Sequence, residues 1–187
     1  MKYGTFYVEF AVMITELPLY TIGHSTHPIE TFLEMLISFD IKVLADVRSM
    51  PGSRKFPQYD QETLAATLAE HDIQYIYFDK LGGRRRQKDA PTDTLWRNKS
   101  FAAYAGYMRT GEFKEGADEL AATAQKNATA MMCSEAVWWR CHRSMVADYF
   151  KAKKWDVQHI MGIGKATEHP YTSPARVVGG EVYYTEK

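Results

Sequence analysis

Two thiols, an acid, an imidazole and a guanidinium crowd the stretch Cys133-Ser-Glu-Ala-Val-Trp-Trp-Arg-Cys-His-Arg143, which holds both cysteines of the chain. These residue types can make a nucleophile with its acid–base partner, an anion site, a metal site or a well-packed core. Thr129 to Cys133 reads as a short apolar strand, and a helix is expected from Ser134 to about Lys154. Cys133 would then end a strand at a helix N-terminus, where the thiolate is favoured. At about 100° per residue, Trp138, Cys141, His142, Met145 and Tyr149 share one helical face, which assigns Cys141 to the core and His142 to the same stripe. Glu135, Trp139 and Arg143 form a separate row, along which Arg143 could hold a carboxylate or a ligand. The segment is not the Cys-x5-Arg loop of cysteine phosphatases, because Trp139 occupies the required position and Arg140 comes one place late. A zinc site from Cys133, Cys141 and His142 is conceivable. Cys-x7-Cys-His is not a usual ligand spacing, however, and a fourth ligand would have to be His24, His159 or His169, so no metal and no cofactor is assigned.

The elements that must position these groups are legible as apolar runs. Leu19–Ile22 reads as a buried strand ending in Gly23-His-Ser-Thr26, and Thr26 or His27 caps a helix with Pro28 in its first turn. Ile29, Phe32, Leu33, Leu36 and Ile37 give that helix an apolar face. Further strands are expected at Lys42–Val47, Ile73–Phe78 and Asp156–Ile160, and a helix begins at Asp60. After a long polar connection, Ser100 caps a short helix that Gly111 terminates, and another helix spans about 112 to 126. Val177 to Tyr184 reads as a hairpin turned by Gly179-Gly180. Strands alternating with helices predict a three-layer α/β fold, a mainly parallel sheet flanked by helices in a Rossmann-like arrangement with a short C-terminal hairpin. Residues 1–16 are read as an extension or edge strand and 17–187 as a single α/β domain.

Length and composition set limits. The 187 residues, 45% hydrophobic, suffice for one core of ordinary size. Lysine plus arginine equals aspartate plus glutamate at 23 each, so nothing suggests binding driven by overall charge, although a local basic patch remains open. Two cysteines make no disulfide framework and suit a reducing, cytoplasmic compartment. No stretch approaches the roughly 20 apolar residues of a membrane span. The run Phe10–Ile14 is too short, and too close to Glu9 and Glu16, for a signal peptide.

In a parallel sheet, the loops leaving the carboxyl ends of the strands converge on the binding crevice. Here they carry Gly23, His24, Ser25 and Thr26; Arg48, Ser49, Ser53 and Arg54; Gly82, Gly83 and Arg84; Cys133, Ser134 and Glu135; and Gly162, Gly164, Lys165 and His169. Small residues admit a ligand to backbone N–H groups, and arginines offer forked donors to phosphate or carboxylate. Asp46 and Arg48 flank Val47 on the same side of a strand end, as a local ion pair or as an arginine oriented toward a ligand.

Taken together, Thr21-Ile-Gly-His-Ser-Thr26, Leu44-Ala-Asp-Val-Arg-Ser49 with Pro51 and Ser53-Arg54, Leu81-Gly-Gly83, Cys133-Ser-Glu135 and Cys141-His-Arg143 resemble domain-of-unknown-function family 488. The tail from His159 through Gly162 to His169-Pro170 is similar as well, so the resemblance runs from about Leu17 to Tyr184. It implies an intracellular α/β domain of a mostly bacterial and archaeal type and assigns no reaction. Gly23, His24, Ser25, Asp46, Arg48, Gly82, Gly83, Cys133, Glu135, Cys141, His142 and Arg143 match its motifs. The extension before Leu17 and the triple arginine 84–86 depart from the pattern.

Three readings follow. In the first, the pocket takes an anionic, phosphate-bearing ligand, a nucleotide or a nucleic-acid end. Arg48, Arg84 and Arg143 contact the anion, the backbone at Gly23 and at Gly82-Gly83 cradles it, Ser25 and Asp46 complete the site, and His24 stands ready for proton transfer. In the second, a thiol enzyme, Cys133 attacks, His24 or His142 is base or acid, and Glu135 orients the histidine. In the third, the Arg84–Lys88 loop and Trp96, Phe101, Tyr104 and Tyr107 form a surface for a protein or nucleic acid.

Overall fold

Six strands pair into one sheet, the central ones almost wholly buried, and amphipathic helices cover both of its faces. The computed structural model describes residues 17–86 and 91–186, so the expectation for residues 1–16 lies outside the described residues. The elements are β1 (Leu19–Gly23), α1 (Ile29–Ile37), β2 (Val43–Asp46), α2 (Gln61–Ala69), β3 (Gln74–Tyr77), α3 (Lys99–Tyr107), α4 (Gly111–Ala124), β4 (Thr129–Cys133), α5 (Arg143–Ala152), β5 (Val157–Gly162), β6 (Lys165–Glu168), β7 (Arg176–Val178) and β8 (Glu181–Tyr183). The six-stranded sheet has the order β3-β2-β4-β1-β5-β6, parallel except for the antiparallel β5–β6 pair, and β7–β8 form the C-terminal hairpin. The three-layer α/β expectation therefore holds.

Side-chain alternation along the strands sorts the core into two halves. Ile22, Leu44, Ala130 and Met132 face α1 and α2 through Phe32, Leu36, Leu64 and Leu68. Leu19, Ala45, Met131 and Cys133 face α3, α4 and α5 through Tyr104, Phe113, Leu120 and Met145. Each fully buried large side chain contributes about 1.5–3 kcal/mol of transfer free energy.

Three local expectations are corrected. Pro28, not Thr26 or His27, sits at the N-cap of α1, with no side-chain cap. Gly111 opens α4 rather than closing α3, because the Thr110 hydroxyl accepts the Phe113 amide and sets a new helix start there. Asn98, rather than Ser100, caps α3 by accepting the amides of Ser100 and Phe101. The hairpin turn is as expected, with Gly179 and Gly180 both at positive φ (59° and 79°).

A buried polar chain ties the C-terminal segment to α5. Asp148 accepts from His169 Nε2 at 3.0 Å, from the Thr172 amide and hydroxyl, and from the Tyr184 hydroxyl. His169 Nδ1 then lies 2.9 Å from His159 Nε2, and His159 Nδ1 lies 2.6 Å from the Thr21 hydroxyl. A carboxylate only accepts, so His169 Nε2 donates to Asp148, and His169 Nδ1 faces His159, which in turn faces the Thr21 hydroxyl. Trp138 stacks flat on His159, with centroids 4.5 Å apart. No helix among the described residues is long and apolar enough to cross a membrane.

Candidate functional site

The strand order sets β1 beside β4, while α1 leaves β1 toward one face and α5 packs on the other. This divergence opens a crevice at the carboxyl ends of the two strands. The His24 and Ser25 amides continue the ladder to the Cys133 and Ser134 carbonyls. A cavity of about 600 Å³ lies above, lined by the loops after β1, β2 and β4, by Gly83 and Arg84, and by Ser100 and Phe101 at the start of α3.

At the end of β2, Asp46 and Arg48 make a buried ion pair, 0% and 5% exposed. Arg48 Nε and Nη2 donate to the carboxylate at 2.5–3.0 Å, and the Tyr75 hydroxyl donates to it at 2.6 Å. Arg48 Nη1 donates to the Tyr59 carbonyl and lies 3.5 Å from His24 Nε2. The His24 ring stacks on Tyr59 at 4.1 Å and its Nδ1 is 3.1 Å from the Ser25 carbonyl. Burial, with the Arg48 cation second, holds His24 down at about 4, so it is neutral at pH 7 with Nε2 turned toward the arginine. Asp46 does not line the cavity; it orients Arg48, which does.

The end of β4 departs most from expectation. No helix follows Cys133. Ser134–Val137 is a loop, Trp138–Arg140 a 3-10 turn, and α5 starts only at Arg143. The expected stripe of Trp138 and Cys141 with Tyr149, and the row of Glu135, Trp139 and Arg143, therefore do not exist as helix faces. Arg143 is corrected too: 2% exposed, it donates from Nη1 to the Glu135 carbonyl (2.5 Å) and from Nη2 to the Ala136 carbonyl (2.9 Å). Its guanidinium fixes the loop and does not front the cavity. Glu135 is exposed at the cavity wall, and both histidines take other partners.

Gly23 is placed where backbone meets backbone. A Cβ there would stand 1.9 Å from the Glu135 carbonyl oxygen that Arg143 holds. Gly23→Ala is expected to displace that carbonyl and cost about 3 kcal/mol or more, combining overpacking with a buried cation deprived of its acceptor. Urea denaturation reads this directly, and a loss below about 1 kcal/mol would mean that the loop yields freely.

Cys133, Cys141 and His142 meet at the cavity floor. Cys141 is therefore not an isolated core thiol, although both sulfurs are nearly buried (6% and 3% exposed). His142 Nδ1 lies 3.9 Å from Cys133 Sγ and 3.6 Å from Cys141 Sγ, while Nε2 donates to the Val47 carbonyl at 3.1 Å. The Cys141 thiol, donating to the Cys133 sulfur, holds Cys133 well below its ordinary value, helped by His142 and Arg143 against burial. Burial pushes Cys141 up. Gly83 permits this packing, since a Cβ on it would stand 2.4 Å from His142 Nδ1. Gly82 turns away from the cavity and packs on Ser49.

Arg84 and Arg140 stand exposed at the rim. The Arg84 amide is pinned to the Ser49 hydroxyl at 2.7 Å. Arg140, Phe56 and Met50 are cavity residues that sequence reasoning missed. For Arg140 the signal was present in Val137-Trp-Trp, a run of modest helix formers that argued against a continuous helix. The fifth loop does not join the site: Gly162 to Lys165 turns the β5–β6 hairpin, with Gly164 at φ +64°, and His169 belongs to the Asp148 chain. Tyr104 and Tyr107 are buried, their hydroxyls donating to the Leu81 and Lys80 carbonyls, and Trp96 and Phe101 pack against the core. Tyr104 and Tyr107 thus face inward, while Phe101 also lines the edge of the cavity. Arg85 lies over the Tyr107 ring instead of entering the cavity.

A family model described as Domain of unknown function DUF488 matches residues 28–150. The chain belongs to this family. No curated protein and no solved structure matches it. The DUF488 stretch contains Asp46, Arg48, Gly83, Arg84, Cys133, Cys141 and His142, whereas Gly23, His24 and Ser25 precede it.

Proposed function

We propose that this DUF488 protein binds an anionic, phosphate-bearing small molecule in the cavity, a nucleotide being of suitable size, and presents it to the Cys133–Cys141–His142 floor. One observation carries the reading: Arg48, Arg84 and Arg140 line the same concavity as His24 and Cys133. The Arg48 charge is largely balanced by Asp46, so Arg84 and Arg140 supply the net attraction. A concave site favours a small ligand over an extended nucleic acid, as does the zero net charge of the chain. Calorimetric titration with pyrophosphate and a nucleoside diphosphate tests this. Arg84→Ala and Arg140→Ala should each weaken binding about 10-fold, the size of one charge-assisted hydrogen bond, and leave stability unchanged because both are exposed. Absence of binding by every phosphate ligand, or variants that bind like the parent, would remove the reading.

A second reading has its own support in the lowered Cys133 thiol. As a thiolate open to the cavity, Cys133 would displace a leaving group from an acyl or phosphoryl centre of the ligand, and water would then release that group from the sulfur, giving its proton to His142 Nδ1. Alkylation by iodoacetamide at pH 7 should then be faster at Cys133 than at a free cysteine.

A further inference from the structure

Cys133 Sγ, at the end of β4, and Cys141 Sγ and His142 Nδ1, just before α5, lie within 4.8 Å of one another. A tetrahedral zinc ion, with Zn–S about 2.3 Å and Zn–N about 2.0–2.1 Å, sets its ligand atoms roughly 3.5–3.8 Å apart. The observed sulfur–nitrogen separations are 3.6 and 3.9 Å and the two sulfurs lie within 4.8 Å of one another, so an ion fits once the sulfurs close by at most about an ångström. The Val47 carbonyl supplies what a ligating histidine needs at its other nitrogen: it accepts the Nε2 proton and leaves the Nδ1 lone pair aimed at the sulfurs. Gly83 keeps that lone pair uncovered, because a side chain would begin 2.4 Å from Nδ1. Two thiols and an imidazole form a soft donor set, suited to zinc and unsuited to magnesium or calcium.

We propose that Cys133, Cys141 and His142 Nδ1 bind a zinc ion through three protein ligands, the fourth position opening on the cavity. No further histidine, cysteine or carboxylate joins the cluster among the described residues, and three ligands with one open position is the arrangement of catalytic rather than structural zinc. Zinc holds both sulfurs as thiolates, any remaining thiol proton passing to solvent, and the two thiolates balance the charge of the ion. The open position takes a water molecule or an oxygen of the bound anion. Cys133 is then a ligand and not the attacking group, so this inference excludes the thiol-enzyme reading. It rests on the three ligand atoms alone and does not depend on anion binding.

The full-length chain, reduced and stripped with a chelator, is titrated with zinc against a chromophoric competitor, and separately with cobalt(II) as an optical probe. One equivalent of zinc should be taken up, and cobalt should give the visible bands of a tetrahedral thiolate site. Cys133→Ser, Cys141→Ser and His142→Ala should each weaken uptake by about 100-fold or more. If a variant fails to fold, the unaltered protein still reports. Zinc should protect both thiols from alkylation, and chelator should restore their reactivity. Uptake that survives the Cys133→Ser/Cys141→Ser pair, absence of stoichiometric uptake, or thiols equally reactive with and without zinc would each overturn the proposal. Zinc is titrated without anion and anion with metal-free protein, so either reading can fail alone.

Discussion

Asp46→Ala should lower the unfolding free energy by about 3–5 kcal/mol, the cost of stranding one member of a buried ion pair. The carboxylate accepts the Arg48 amide, Nε and Nη2, together with the Tyr75 hydroxyl. Without it, the 5%-exposed guanidinium keeps only the Tyr59 carbonyl and its contact with neutral His24. Neither replaces a full negative charge, and the guanidinium shows too little of itself to the cavity for water to take the place of the carboxylate. Asp46→Ala/Arg48→Met should recover a large part of the loss, because an apolar pair of similar volume carries no stranded charge. Urea denaturation of the parent, the single and the double variant forms the measurement. A single variant within about 1 kcal/mol of the parent would show that the pair does not hold this corner of the cavity.

Acid should destabilise the fold well above the pH range of ordinary carboxylates. Burial, His169 and Arg143 hold His159 down at about 3, whereas an unfolded histidine takes its proton near 6.5. Between those values the unfolded chain binds more protons than the folded one, so stability falls as pH falls. The contribution is complete above about pH 6.5 and is lost at about 1.4 kcal/mol per pH unit below it, reaching roughly 2.5–3 kcal/mol at pH 4.5. The groups facing the ring leave it no way to accept a proton cheaply: Thr21 and His169 occupy both nitrogens, and Trp138 covers one face. His24, held at about 4, adds to the same slope. Urea midpoints at pH 7, 5.5 and 4.5 should fall steeply, and His159→Gln should flatten the slope. Parallel profiles for the two proteins would place the acid sensitivity elsewhere.

The apolar runs at Leu19–Ile22 and Val43–Asp46 announced their strands because buried parallel strands need continuous hydrophobicity. Their order was not legible, since each strand is apolar on both faces and nothing local selects its neighbour. Asp46 and Arg48 were placed correctly on one side of the strand end by simple alternation. The segment after Cys133 misled because a 3-10 turn followed by a helix keeps nearly the same apolar spacing as one long helix. At the break, the Arg143 side chain takes the Glu135 and Ala136 carbonyls that helical backbone amides would otherwise have bound. Arg143 itself was read as a ligand contact because an arginine this buried is rare and only the shape of the loop reveals its partners. The two glycines at 162 and 164 fit a ligand loop and a hairpin turn equally well, and only the antiparallel pairing of β6 decides between them.

The position of β1 between β4 and β5 has a consequence for where this protein can be cut. The DUF488 match begins after β1 and stops before β5. A fragment trimmed to those limits would expose the inner edge of β4, a row of backbone donors and acceptors with no partner and a template for strand addition between chains. It would also leave Asp148 inside α5 without His169, Thr172 and Tyr184. The stretch by which the family is recognised is therefore shorter than the stretch that can fold, and expression boundaries belong outside β1 and β8.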